Sequence, residues 1–258
     1  MSRDAKGWKK KLLRERGAEV VEHAGDFSAA VAAGREQAAD EANTHFVDDE
    51  ASLSLFAGYA VAAGRLAGQL RALEIPVDRE HPLVVHLPCG VGGAPGGIAY
   101  GLYRTFGADV CCVLHEPVAA PAVFLGERSG LREKISVAEI GLDGRTDADG
   151  LAVGRMSSLV RGVVGGRIDG FATHSDSELT GLVARVHDAE GWRLEPSATA
   201  GLTGPWRVQA EADFLRARGL DGERLDRATH IAWSTGGSMV PEEEFAALLA
   251  AGRDAALR

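Results

Sequence analysis

Two near-continuous apolar runs, HPLVVHLPCG (81–90) and ADVCCVLHEP (108–117), flank a glycine-rich turn and the helical-period segment GGIAYGLYRTF. Apolar runs without alternation are strands buried on both faces, and a helix between two of them is a crossover joining parallel neighbours. This commits the chain to an α/β class: an open, mostly parallel sheet flanked by helices. The flanking sequence alternates in the same way. Ser2 can cap a helix through KGWKKKLLRER that Gly17 closes, and AEVVEHA then reads as a short strand. Asp26 opens the helix SAAVAAGREQAADEA, the short run THFVDDE reads as the next strand, and an alanine-rich helix covers about 51–73. Further on, ISVAEIGLDGRTDADGLAVGR is turn-rich, GRIDGFATHSD holds a strand, and SELTGLVARVHDAEG is an amphipathic helix. EADFLRARG is a helix leading to the last strand, THIAWSTGG. Pro241 and three glutamates then open a final helix, where the missing N–H is no loss and the anions favour the helix dipole. The chain starts on a helix that feeds a strand. Since a crossover helix follows a strand of its own, this predicts that an N-terminal part is missing.

Charge and cysteine content narrow the function. Lys and Arg total 28 against 37 Asp and Glu, a formal charge of −9 with no basic stripe beyond the first sixteen residues, which disfavours nucleic acid as a partner. Cys89, Cys111 and Cys112 have neither disulfide-framework nor metal-knuckle spacing, so a cytoplasmic location is expected. No window approaches the roughly 18 apolar residues of a membrane span, and no membrane partner is expected.

The segment LPCGVGGAPGG lies where a strand hands over to a helix, the position at which backbone N–H groups cradle phosphate. It is not a dinucleotide fingerprint, because Pro95 stands where the last glycine is due, nor a P-loop, because Ile98 stands in place of lysine. A loop of this kind suits a single phosphate monoester, as on pyridoxal phosphate or a sugar phosphate; alternatively it is a tight turn that needs glycine only for its backbone. Ser234 and Thr235 follow the last strand, at the end of a parallel sheet where ligands bind, though a helix cap or turn is the better reading of STGG taken alone. His115 and Glu116 also end a strand; Glu116 can bind a cation, orient a ligand or cap a helix. Asp147 and Asp149 sit in a turn that lines a site or is simply solvated. Cys89 is either a helix-terminus thiolate or a small packed side chain. The histidines show no H-x-x-x-H or H-E-x-x-H spacing and there is no G-x-S-x-G elbow, so zinc and serine hydrolysis lose support.

Taken together, WKKKLLRERG, HFVDDE, LFAGY, LPCGVGGAPGG, HEPVAAP, ISVAEIGLDGRTDADGLAVGR, LEPSATAGL and WSTGGSMVPEEE resemble the bacterial D-serine dehydratase family of pyridoxal-phosphate enzymes. The resemblance runs through nearly the whole chain. It implies a tryptophan-synthase-β-like fold (fold type II) and a lyase that deaminates D-serine, a small amino acid, to pyruvate and ammonia with pyridoxal 5'-phosphate as electron sink. It further implies that Gly90, Val91, Gly92 and Gly93 bind the cofactor phosphate and that Thr235 hydrogen-bonds the pyridine nitrogen. Ala94 replaces an expected glycine. Glu116 sits where related dehydratases place a monovalent or divalent cation ligand, but Ala122 stands where their second acid would be. None of Lys6, Lys9, Lys10, Lys11 and Lys134 has the Ser-x-Lys context of the family's Schiff-base lysine, and Lys9 to Lys11 read as a solvated helix face. No catalytic residue is therefore assigned within the chain. The expectation is a truncated member, with 1–44 a remnant of the smaller domain and 45–258 the C-terminal part of the larger, cofactor-binding domain. Two alternatives remain: a non-catalytic cofactor-binding or partner-binding fragment, and a dehydratase of another β-hydroxy amino acid. Oligomeric state is not specified by the sequence.

Overall fold

The computed structural model describes residues 1–256 except 2, 4, 25, 26, 165, 166 and 221, so the expected caps Ser2 and Asp26 lie outside the described residues. Four parallel strands form the sheet: β1 (Leu83–Pro88), β2 (Val110–Pro117), β3 (Gly170–His174) and β4 (Thr229–Ala232), in the order β3-β2-β1-β4. Leu83 pairs with Val110 on one side and with Thr229 on the other. The helices are α1 (Gly7–Glu15), α2 (Phe27–Asp40), α3 (Leu53–Ala72), α4 (Gly93–Phe106), α5 (Ala122–Ser129), α6 (Ser158–Val164), α7 (Asp176–Glu190), α8 (Pro196–Thr199), α9 (Gly204–Ala210), α10 (Ala212–Arg218), α11 (Gly222–Asp226) and α12 (Glu242–Ala256).

The apolar runs of β1 and β2 are explained by what covers them. Leu83, Val85, Leu87, Cys112 and Leu114 face α3 and α4, where they meet Leu66, Leu70, Ile98 and Leu102. Val84, Cys111 and Val113 face the opposite way, against Val208 of α9 and Phe214 of α10. Alternate residues thus bury on both sides, each large side chain stabilising the fold by about 1.5–3 kcal/mol. Helices α3 and α4 approach at glycine: a Cβ on Gly97 would lie 2.5 Å from the Phe56 carbonyl oxygen, and one on Gly101 would collide with that of Ala60. At the start of α3, Ser52 Oγ accepts the Leu55 N–H at 3.2 Å. α12 packs on α7 through Phe245 and Val183, and Trp8 of α1 docks against the same cluster.

Two expected strands are absent. AEVVEHA makes only one bridge, in which His23 exchanges backbone hydrogen bonds with Met1 and Arg3 at 2.9 Å, and THFVDDE is irregular. A strand exists by virtue of a neighbour, and neither segment has a sheet edge beside it among the described residues. Among the described residues no helix is long and apolar enough to cross a membrane.

Candidate functional site

Strand β1 ends at Pro88 and α4 begins at Gly93, so Cys89 to Gly92 form a turn at the carboxyl edge of the sheet. Gly92 has φ 102°, in the left-handed region where a Cβ is strained. Among the described residues, no protein acceptor faces the backbone N–H of Gly90, Val91, Gly92, Gly93 or Ala94. Val91, Gly92 and Gly93 are buried. A row of unpaired, buried donors at the positive end of a 14-residue helix is an anion cradle. Its surroundings hold it in place. The Val91 carbonyl accepts the Ser157 N–H at 3.0 Å, and the Ser157 hydroxyl donates to the Glu50 carbonyl. Asp48 Oδ1 accepts the N–H groups of Glu50 and Ala51 at 2.9 and 2.5 Å, shaping the turn that carries Asp49 past Gly93.

The cradle forms one wall of a cleft of about 560 Å³. Leu55 and Tyr59 of α3, the turn 149–153, Glu195, Ser197 and the segment Trp233 to Thr235 complete it. The last of these is positioned by backbone bonds: Trp233 N–H donates to the His86 carbonyl at 2.9 Å, and Glu195 N–H to that of Gly236 at 3.2 Å. The fold therefore brings Gly90, Val91, Gly92, Gly93 and Thr235 into one cleft, with Thr235 exposed at its wall. The combination fits a phosphate monoester carrying an apolar ring with one polar ring atom: donors for the phosphate, Tyr59 and Trp233 for the ring, and a hydroxyl for the ring atom.

Glu116 is placed elsewhere. It is fully buried, outside the cleft lining, and its two carboxylate oxygens accept the N–H groups of Val123 and Phe124 at 2.7 and 2.9 Å, capping α5. Burial pushes its carboxyl up to about 8, against the pull of these two donors. Among the described residues no group of three or more His, Cys, Asp or Glu side chains is placed to hold a metal ion. Cys89 is packed in the core, and burial, reinforced by Glu116, pushes its thiol well above the ordinary range, so the packed reading replaces the thiolate one.

The solvated-face reading of Lys9 to Lys11 needs correction. Lys9 Nζ lies 2.9 Å from Asp149 Oδ2, on the turn that lines the cleft. Lys10 is 8% exposed, bonded to Glu22 and to the Arg3 carbonyl at 2.7 Å each. Lys11 alone keeps a surface position, 3.8 Å from Glu15. Among the described residues no lysine lines the cleft. Asp49, Glu195, Ser197 and Trp233 are lining residues that sequence reasoning did not single out. Asp49 carries a signal only in retrospect: burial, and the neighbouring Asp48 charge, hold its carboxyl above the usual range.

Residues 1–217 match the family described as "Pyridoxal-phosphate dependent enzyme". Over 254 residues the chain is 54% identical to a probable D-serine dehydratase of Pseudomonas aeruginosa, covering 98% of this chain and 57% of the relative. It is 49% identical over 253 residues to the D-serine dehydratase of Serratia proteamaculans, with the same two coverages. Among solved structures, a fungal L-serine ammonia-lyase from Rhizomucor miehei superposes with a TM-score of 0.68 at 19% identity, over 98% of this chain and 72% of that one. That last likeness bears on the fold alone. The chain spans 57% of the length of the curated relatives it matches.

Proposed function

This chain belongs to the pyridoxal-phosphate-dependent enzyme family, and from that premise we propose that its cleft is the cofactor site of a lyase that deaminates D-serine to pyruvate and ammonia. One observation carries the reading: the unpaired N–H groups of Gly90 to Ala94 line the same cleft as Thr235. In this assignment the backbone of Gly90, Val91, Gly92 and Gly93 binds the phosphate, at a helix end that favours its charge. Thr235 donates its hydroxyl to the pyridine nitrogen. A hydroxyl there would leave that nitrogen largely unprotonated, where a carboxylate would accept from it and keep it protonated. Tyr59, Leu55 and Trp233 shield the ring from water, and Asp149 is held by Lys9 at the same cleft. When bound, pyridoxal phosphate supplies the electron sink needed to lose a proton at the α-carbon and a hydroxyl at the β-carbon of the amino acid. The relatives' names supply the choice of D-serine. A cation at Glu116 is not needed by this assignment, since both oxygens of that carboxylate already serve α5.

A second reading, a cofactor-binding unit without catalysis, is favoured by the absence of lysine from the cleft lining. Both are tested by titrating the chain with pyridoxal phosphate and then assaying pyruvate release from D-serine, L-serine and D-threonine. Uptake with pyruvate formed fastest from D-serine supports the lyase. Uptake without turnover selects the second reading, faster release of a 2-oxo acid from another substrate overturns the D-serine assignment, and failure to bind pyridoxal phosphate removes both readings.

A further inference from the structure

On the face of the sheet turned away from α3 and α4 lies a row of imidazoles that the cleft does not use. His230 on β4, His86 on β1, His115 on β2 and His174 on β3 supply one ring per strand, in the spatial order of the strands. His230 Nδ1 is 3.0 Å from His86 Nε2, His86 Nδ1 is 3.1 Å from His115 Nε2, and His115 Nδ1 is 2.9 Å from His174 Nε2. The row ends on α7, where His174 Nδ1 lies 3.1 Å from Glu178 Oε1, within ion-pair range but out of line for a hydrogen bond. Arg207 of α9 donates to both Glu178 oxygens at 2.9 Å. The fold is built around these rings: a Cβ on Gly204 would collide with the imidazole of His86.

The same atoms meet at every step, Nδ1 of one ring against Nε2 of the next. A neutral imidazole offers one donor and one acceptor, so the row has only two self-consistent states, all Nδ1–H or all Nε2–H. Glu178 distinguishes them. A carboxylate only accepts, so it favours Nδ1–H on His174, which leaves His174 Nε2 to accept from His115 Nδ1–H. The same logic passes through His86 to His230, whose Nε2 is then left bare. The opposite state would set a lone pair of His174 against the carboxylate. An added proton on any inner Nε2 would turn a hydrogen bond into two opposed donors. Only His230 Nε2 accepts one without that cost. The charged groups that face the row are Glu178 from α7 and Arg207 from α9, and burial pushes all four rings below the ordinary histidine range.

We propose that Glu178, held by Arg207, is a positioning residue that sets all four rings to the Nδ1–H tautomer, making the row a single tie across the sheet that fixes β4, and with it Ser234 and Thr235, against β1. The backbone pairing of β1 with β4 runs over Leu83 to His86 and Thr229 to Ala232, with Thr229 and Trp233 bonded on to the Pro82 and His86 carbonyls, and the His86–His230 contact adds a side-chain tie to this edge strand. The link to cofactor binding rests on the reading of the cleft given above; the tautomer order does not.

The test is long-range proton–nitrogen NMR of the histidine rings in the uniformly labelled full chain at pH 7.5, for the wild type, Glu178→Gln and Glu178→Asp. In the wild type, all four rings are expected to show a protonated Nδ1 and a bare Nε2. Glu178→Gln is expected to move His174 and His230 toward Nε2–H and to weaken pyridoxal-phosphate binding about threefold or more, and Glu178→Asp to restore both. Mixed or Nε2–H tautomers in the wild type overturn the proposal even if no variant folds, and so does a His230 spectrum that Glu178→Gln leaves unchanged. A wild type with ordered tautomers that does not bind pyridoxal phosphate would sink the reading of the cleft and leave the tautomer order standing.

Discussion

Thr235 is exposed on the cleft wall, and its assigned work is done by a single hydroxyl. Thr235→Val keeps the shape and removes that group. A net hydrogen bond is worth about 0.5–1.5 kcal/mol, so pyridoxal-phosphate affinity is expected to fall about two- to tenfold with the melting temperature unchanged. Quenching of tryptophan fluorescence, to which Trp233 in the cleft contributes, measures this; equal affinity of the two proteins would remove Thr235 from the site. Gly92 behaves differently, because its constraint is in the backbone. At φ 102° an alanine there is strained, and Gly92→Ala is expected to destabilise the chain by about 1–2 kcal/mol. Urea unfolding reads this as a lower midpoint at unchanged slope.

At the scale of elements, the pairing of α3 with α4 depends on how closely their backbones approach. Gly101→Ala puts a Cβ into the Ala60 carbonyl, so the helices must separate; overpacking of this kind costs about 1–3 kcal/mol. Chemical denaturation checks it, and a variant as stable as the wild type would show that the pair slides freely. The same elements show what was legible in the sequence. β1, β2 and the turn between β1 and α4 could be read directly, because burial on both faces and the phosphate-type turn are local signals. AEVVEHA and THFVDDE have the composition of strands but no partner, and a partner is not a local property. The segment of α9 gave no local signal; what holds it as a helix is the burial of Val208 against β1 and β2, which only the fold supplies. In the cleft, the glycine turn was singled out from its place between strand and helix and Thr235 from its place at the end of the last strand, whereas the pyridine-nitrogen role proposed for Thr235 is what the family resemblance implies. Asp49, Glu195 and Ser197 reach the same cleft from distant parts of the chain. The imidazole row left no trace in sequence spacing, since strand order brings its members together.

For the whole molecule, the buried titratable groups set an optimum of pH. The four imidazoles have folded values below the ordinary value of about 6.5, with His86 held down to about 3 by burial. Their contribution is therefore complete above about pH 6.5 and is lost as pH falls toward the folded values, by up to about 1.4 kcal/mol per ring per pH unit. Glu116, raised to about 8, acts in the other sense: its contribution is present at acid pH and is lost as pH rises toward 8. The melting temperature is expected to fall steeply from pH 6.5 to 5, where four rings outweigh one carboxyl, and to decline gently from 7 to 8. Thermal unfolding across that range checks it; a flat profile below pH 6.5 would mean that the rings are already charged in the native state. The sheet order has a further consequence, for the history of the molecule rather than its equilibrium. β1 and β2 are joined by a short crossover, but 144 residues separate His86 from its neighbour His230. Closing that loop costs more chain entropy than closing the first, and β4 also leaves the ribosome after β1, β2 and β3. The turn at the start of α4 is thus formed early and the wall bearing Thr235 is added late, so a growing or refolding chain passes through a stage with half a cleft.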